Sequence, residues 1–373
     1  MDWALIELPN PNSAEAKYKS QIPSPNNLLQ VATALKQVGH QVKLYNFFRD
    51  RYPPIVEADA YVLDIFPCTC MDYYADYAIG YLNSMGMFLQ NKEVWLTGFY
   101  PWLHKSDMPH NVADPTYFDN SIAGVAGDFH NDWDAFDSTT IPAYKDGHRR
   151  ITIRASRGCP HQCRMCPVAL TYHGVVRRYP VGWVLDEIEE LHKRGVWDIG
   201  FLDDNLFSDH KWAKTLLGEM ITRQYKKRGM AFTFEEGLDV PTALNEEIVG
   251  KLKEAGFYRI KLGVETFQKE SLEYIRKPYR DPEMAKSAIR LLKSYGLSPT
   301  CFQIIGLPTQ TLESVTQDIG MFKELGVKIR AQILWEYPGV SFHPSLSAQQ
   351  MKELCHLALE QTGSLTWKHR TKS

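Results

Sequence analysis

Five times in its second half the chain passes from a helix-like segment with Lys or Arg in its last turn, through a glycine, into an apolar run. The junctions are HKRG-VWDIGFL at Gly195, KKRG-MAFTF at Gly229, KEAG-FYRIKLGV at Gly256, KSYG-LSPTCFQII at Gly296 and KELG-VKIRAQIL at Gly326. Glycine just past a helix takes the left-handed conformation that other residues resist, and cations in the last turn favour the negative end of the helix dipole. The preceding segments carry helical periodicity: Val184, Ile188 and Leu191 share one face, as do Ile248 and Leu252. Asp281-Pro282-Glu283 reads as N-cap, first-position proline and first-turn acid of the helix that Gly296 closes. With a preceding strand at 151–156, this gives six strands between about 148 and 337. Helices alternating with buried strands require parallel pairing and right-handed crossovers. Six units fall short of an eight-fold barrel, so an open, partial (β/α)6 barrel is expected.

The first 130 residues carry a separate αβ pattern. Strands are expected at 4–8, 42–46, 60–65, 93–97 and 122–126, with a helix at 27–38 closed by Gly39. The reading is an α/β chain: a doubly wound, Rossmann-like domain over 1–130, a linker over 131–147, the partial barrel over 148–340 and a helical tail over 341–373. Residues 103–121 and 127–148 are rich in Asp, Asn, Pro and His without periodicity and read as loop and linker. In the tail, 347–362 reads as a helix.

Composition narrows the classes. Forty-two Lys plus Arg against forty-four Asp plus Glu leave a net charge of −2, too little positive charge for bulk nucleic-acid binding. No apolar stretch reaches the roughly 18 residues of a membrane span, and the N-terminus lacks a basic start and an apolar h-region. Seven cysteines, three of them crowded together, do not read as a disulfide framework. The expectation is a cytoplasmic protein.

The crowded cysteines lie in Arg157-Gly-Cys159-Pro-His-Gln-Cys163-Arg-Met-Cys166-Pro, directly after the first strand of the second region. Three thiolates spaced four and three residues apart on one loop can converge on a soft metal centre. Spacing alone leaves three readings open: an iron–sulfur cluster with one iron unligated by protein, a structural zinc site completed by His161 or His173, or three reduced thiols.

C-x3-C-x2-C opening a six-fold αβ region resembles the radical S-adenosylmethionine (SAM) superfamily, and SRGCPHQCRMCP resembles its branch with an N-terminal cobalamin-binding domain. The resemblance implies that Cys159, Cys163 and Cys166 bind a [4Fe-4S] cluster whose free iron chelates SAM. One-electron reduction then cleaves SAM to methionine and a 5′-deoxyadenosyl radical. A small-molecule substrate and a one-electron donor such as flavodoxin or ferredoxin follow as partners. Met165 stands where the family usually has an aromatic beside adenine.

Parallel sheets bind ligands at the carboxyl ends of their strands, so polar residues there become candidates. Asp203, Asp204 and Asn205 end the second strand, where the family approaches the SAM amino group or the substrate; helix capping is the plain alternative. Glu235 and Glu236 end the third, and Glu236 is the candidate for SAM or substrate. Gly263-Val-Glu265-Thr266 resembles the family's segment near the SAM ribose, placing Glu265 there. Gly306, in QIIGLPTQTLE, would let backbone approach adenine, while Glu313 reads as positioning a helix. Arg276 and Lys277 read as an ordinary solvated helix face, and Gln332 and Trp335 as borders of the pocket.

In the first region Pro23-Ser-Pro, Thr97-Gly98 and Gly124-Val-Ala-Gly127-Asp128 sit where the cobalamin branch has its approach and glycine motifs, with Phe99, Tyr100 and Trp102 nearby. No D-x-H-x-x-G is present. Cys68-Thr-Cys70 is a further pair, but a second cluster would need at least one more well-placed ligand, and Cys301 and Cys355 are scattered. Two functions remain: a cobalamin-dependent methyltransferase, or a cobalamin-independent oxidoreductase or rearrangement enzyme.

Overall fold

The computed structural model describes residues 1–7, 26–46, 56–64, 84–97, 110–113, 122–124, 126, 128–134, 149–334 and 341–364. The chain falls into two compact units, Met1–Arg154 with Gly182–Trp197, and Ala155–Val181 with Asp198–Ser373.

The first unit contains β1 (Asp2–Glu7), α1 (Asn26–Gln37), β2 (Gln41–Asn46), β3 (Ala60–Asp64), α2 (Gly86–Leu89), β4 (Glu93–Thr97) and β5 (Asn111–Val112). The strands lie in the order β2-β1-β3-β4-β5, all paired in parallel. Side chains alternate between faces with the period of two that a strand imposes. Ala4, Ile6, Tyr61 and Leu63 pack with Met85 and Leu89, whereas Trp3, Leu5 and Val62 pack with Leu28, Val31 and Leu35 of α1. Both faces are therefore covered, as a doubly wound sheet requires.

Two expectations need correction in this region. Residues 122 and 123 are helical, and the fifth strand is β5, inside a segment read as loop. A two-residue strand is too short to display a period, and Ile122 is buried beside α1 instead. Residues 128–134, read as linker, are tied down. Asp132 N donates to Leu29 O, Thr33 Oγ1 donates to His130 O, and Glu187 accepts from Asn131 N, Asn131 Nδ2 and Trp133 Nε1. Residues 135–147 lie outside the described residues.

Downstream come β6 (Arg149–Ile153), β7 (Ser156–Arg157), α3 (Pro167–Tyr172), β8 (Arg177–Arg178), α4 (Val181–Lys193), β9 (Val196–Phe201) and α5 (His210–Thr222). They are followed by β10 (Ala231–Leu238), α6 (Val240–Ala243), α7 (Glu246–Ala255), β11 (Phe257–Glu265), α8 (Lys269–Tyr274) and α9 (Pro282–Ser294). The series ends with β12 (Ser298–Ile305), α10 (Leu312–Glu324), β13 (Lys328–Ile333) and α11 (Ala348–Gln361). The larger sheet has the order β13-β12-β11-β10-β9-β6, so the chain lays its strands down in sequence order. The expected first strand splits: β6 enters this sheet, whereas β7 pairs antiparallel with β8, Ser156 opposite Arg178. That short ribbon frames the cysteine loop.

All five junction glycines have positive φ, from 60° at Gly326 to 107° at Gly256. Asp281 caps α9 through Glu283 N with Pro282 in the first turn, and Ser347 with Gln350 forms a capping box on α11. One face of the sheet is aromatic: Phe257 lies 5.7 Å from Phe201 and 5.6 Å from Phe232 between ring centroids. Each such buried ring contributes roughly 1.5–3 kcal/mol. The opposite register positions carry Thr233, Glu235, Arg259 and Lys261, joined by an ion pair on each side of Glu235. Among the described residues no helix is long and apolar enough to cross a membrane.

Candidate metal and cofactor site

The cysteine loop leaves β7 through Gly158 and ends where Cys166 precedes Pro167, the first residue of α3. Three residues just past the end of β9, Asp203, Asp204 and Asn205, hold it at successive points. Asp203 Oδ1 accepts from Ala155 N at 2.9 Å and from Ser156 Oγ at 2.8 Å; Asp204 Oδ2 accepts from Gly158 N at 2.8 Å. Asn205 Nδ2 donates to Cys159 Sγ at 3.5 Å and to Asp239 Oδ2 at 2.9 Å. The trio expected at the cofactor thus grips the loop that carries the thiols. On the far side Arg164 N donates to Ile275 O at 2.9 Å, and the Arg164 guanidinium lies over the Tyr274 ring.

The three thiols share one neighbourhood. Burial pushes Cys159 up to about 11 and raises Cys163 and Cys166 as well, and the charge of Cys163 adds to the rise at both of the others. Among the described residues no three His, Cys, Asp or Glu side chains converge closely enough to hold a metal ion. Neither histidine is offered as a fourth ligand. His161 Nε2 faces Asp239 Oδ2 at 3.1 Å, and His173 is exposed at the end of α3. Burial opposes lone thiolates, and a cationic metal centre would relieve that opposition. An all-thiol donor set suits iron–sulfur better than a zinc site needing histidine. By its chemistry alone, the set of three cysteine thiols suits an iron–sulfur cluster.

Asp239 is a member of this site that the sequence did not reveal. Burial works against its charge, yet hydrogen bonds from His161, Asn205 and Thr242 outweigh burial and hold its carboxyl below the usual range. It is the N-cap of α6, accepting from Thr242 N at 2.7 Å, a role that D-x-P-T spacing could have announced.

Glu265, at the end of β11, is buried and has φ of 69°, a left-handed conformation that a non-glycine residue adopts at a cost. Its Oε1 lies 3.2 Å from Lys277 Nζ. The solvated face expected at 276–277 is half right: Arg276 is exposed, whereas Lys277 is 7% exposed and paired. Burial would strip the Lys277 proton, but the Glu265 carboxylate and Cys163 outweigh it and hold the ammonium above its ordinary range. The turn after α8, with Arg276 at φ of 55°, swings Lys277 inward, and no periodic signal reports such a turn.

The remaining expectations divide. Glu236 is exposed, because strand alternation sends Glu235, not Glu236, to the buried face, where Thr233, Arg259 and Lys261 engage it. Gly306 does need to lack a side chain, but the close neighbour is the tail: a Cβ there would stand 2.4 Å from Met351 Sδ. Gln310 accepts from Gly306 N and Leu307 N, closing the turn. Gln332 is half-buried in β13 and opposite Ile304, which packs against the apolar cluster containing Cys163, Met165 and Ile275. Cys301 is buried in β12 and Cys355 half-buried on α11; Cys68, Cys70 and Trp335 lie outside the described residues. In the first unit Thr97 Oγ1 donates to Asp64 Oδ1 at 2.7 Å where β4 and β3 end. Pro23, Gly98, Phe99, Tyr100, Trp102 and Gly127 are outside the described residues.

A model of the Radical SAM superfamily matches residues 153–321. An uncharacterised methyltransferase of Pyrococcus horikoshii is 30% identical over 208 residues, 55% of this chain and 44% of that protein. The hopanoid C-2 methylase of Rhodopseudomonas palustris is 28% identical over 179 residues, 47% of this chain and 34% of its own length. The chain thus spans less than half the length of these curated relatives. Among solved structures, the radical SAM methyltransferase TsrM of Kitasatospora setae, with cobalamin and a [4Fe-4S] cluster bound, superposes with a TM-score of 0.71 at 15% identity. That match covers 91% of this chain and 76% of the other. The cobalamin-dependent SAM radical enzyme OxsB reaches 0.61 at 12% identity, covering 97% and 56%. These likenesses establish an α/β fold of the same kind. Residues 153–321, which include the cysteine loop and the strand ends around it, are the part of the chain that is similar to the Radical SAM superfamily.

Proposed function

We propose that the chain is a radical SAM enzyme holding a [4Fe-4S] cluster at Cys159, Cys163 and Cys166, and that it methylates a small organic molecule with the help of cobalamin. The observation that carries the reading is a loop of three thiols, Cys163 buried and Cys159 and Cys166 half-buried, gripped by Asp203, Asp204 and Asn205 inside the matched domain. A bound cluster would supply one electron to SAM, taken from a donor of the flavodoxin or ferredoxin kind. The chain's own residues then have separable tasks. Asp203 and Asp204 fix the backbone that enters the loop, Asn205 orients Cys159 against Asp239, and Glu265 presents a buried carboxylate suited to ribose hydroxyls. Methyl transfer is supported by relatives named as methyltransferases, and cobalamin by the fold shared with structures that contain it.

The test is anaerobic reconstitution of the full chain with iron, sulfide and hydroxocobalamin, followed by desalting, metal analysis and a visible spectrum. The expected result is about four irons per chain, lost when all three cysteines become Ala, with corrin bands retained in both proteins. Iron content unchanged in the triple variant overturns the cluster assignment. A clustered protein without corrin bands transfers the reading to the cobalamin-independent class.

A further inference from the structure

Two residues past Ile275, which belongs to the apolar cluster containing Cys163, Lys277 forms an enclosed ion pair with Glu265, and three backbone features converge on it. Glu265 and Arg276 are both left-handed, at φ of 69° and 55°, although neither is glycine. Gly263 leaves the space the pair occupies, since a Cβ there would stand 3.2 Å from Lys277 Nζ and 3.4 Å from Glu265 Oε1. The segment is also fastened on two sides: Ile275 O accepts from Arg164 N in the loop, and Tyr279 Oη donates to Val264 O at 2.7 Å. Cys163 packs in the same apolar cluster as Ile275.

A buried ion pair adds little to stability once desolvation is counted, so strain and enclosure of this kind call for another reason. We propose that Lys277 is a positioning residue that sets how readily the cluster at Cys163 accepts its electron, with Glu265 acting in the opposite sense. This rests on the cluster assignment above. An electron passing from a one-electron donor to the cluster adds one negative charge to a site already bearing thiolates. A fixed ammonium in low dielectric favours that charge, and a neighbouring carboxylate opposes it.

The experiment is a redox titration of the anaerobically reconstituted full chain, followed by electron paramagnetic resonance, with iron measured on every sample. Lys277→Met is expected to keep its iron yet lower the reduction equilibrium at least tenfold, about 59 mV for a one-electron couple. Glu265→Gln is expected to shift the potential the other way, and Lys277→Arg to stay close to the parent. If Lys277→Met does not fold, the upward shift in Glu265→Gln decides. Unchanged potentials in iron-loaded variants, or shifts of the same sign in both, overturn the proposal. Absence of iron from the parent protein overturns the cluster assignment instead.

Discussion

The two edges of the six-stranded sheet use the same residue types for different ends. At the edge of the helix-to-strand junctions, a Cβ on Gly296 would meet nothing closer than Lys253 Nζ at 3.3 Å, and one on Gly326 nothing closer than Lys293 Nζ at 3.2 Å. Those neighbours are the ends of flexible side chains, so these glycines serve their positive φ alone. At the cysteine edge, a Cβ on Gly158 would stand 2.1 Å from the backbone oxygen of Val175. There φ and close approach are both required. Charges divide in the same way. Lysines at the junction edge reach across solvent to helix ends, whereas Asp203, Asp239, Glu265 and Lys277 are buried with fixed partners. One edge ends helices; the other holds a loop in place.

The largest expected effect tests that contrast directly. Gly158→Ala must displace backbone and is expected to cost about 3–5 kcal/mol in urea denaturation, with loss of bound iron. Gly296→Ala is expected to cost about 1–2 kcal/mol, the ordinary penalty of a left-handed non-glycine residue. Equal losses would break the comparison.

A middle-sized effect comes from Asp318 on α10, which holds the segment just past Glu265. It accepts from Thr266 Oγ1 at 2.6 Å, Phe267 N at 3.1 Å and Gln268 Nε2 at 2.9 Å. Burial outweighs these bonds and raises its carboxyl from 3.8 to about 6. Between those values the folded protein keeps a proton that the unfolded chain has released. Stability contributed by this group therefore falls as pH rises through the window, by up to about 3 kcal/mol, and is level above it. Asp318→Asn keeps an acceptor and removes the proton, so the stability difference from the parent should change across that window and be flat above it. A difference that is flat throughout would place Asp318 with the solvated charges of the other edge.

The junction edge was legible in the sequence because its signals are local. Glycine, the preceding cations and the 3.6-residue period lie within one helix turn, and all five glycines fall where that pattern puts them. The cysteine loop was legible for the same reason. What the sequence did not disclose depends on tertiary closure. Lys277 is turned inward by a left-handed Arg276, Glu235 replaces Glu236 by strand parity, and Gly306 is crowded by Met351 from forty-five residues away in the chain. The strand at Asn111–Val112 escaped because two residues show no period. Thr97 stands where a glycine was sought and gives its hydroxyl to Asp64, a partner set by parallel pairing of β3 with β4.

The smallest expected effect belongs to the lysine ladder of the junction edge. Lys226 Nζ donates to Lys253 O at 3.1 Å, Lys253 Nζ to Gly296 O at 2.8 Å, and Lys293 Nζ to Leu325 O at 2.7 Å. Each ammonium thus sits at the carbonyl end of the next helix, where the dipole favours positive charge. Because these groups are in contact with water, each contributes about 0.3–1 kcal/mol and is weakened by salt. Lys253→Met keeps the aliphatic stem and removes the charge, so its urea midpoint should drop slightly at low salt and approach that of the parent at high salt. The aromatic face that carries this edge, with Phe201, Phe232 and Phe257 packed together, stays intact in the variant. A loss as large as that of Gly158→Ala, or one indifferent to salt, would show that the junction edge also depends on fixed charge and would erase the distinction between the two edges.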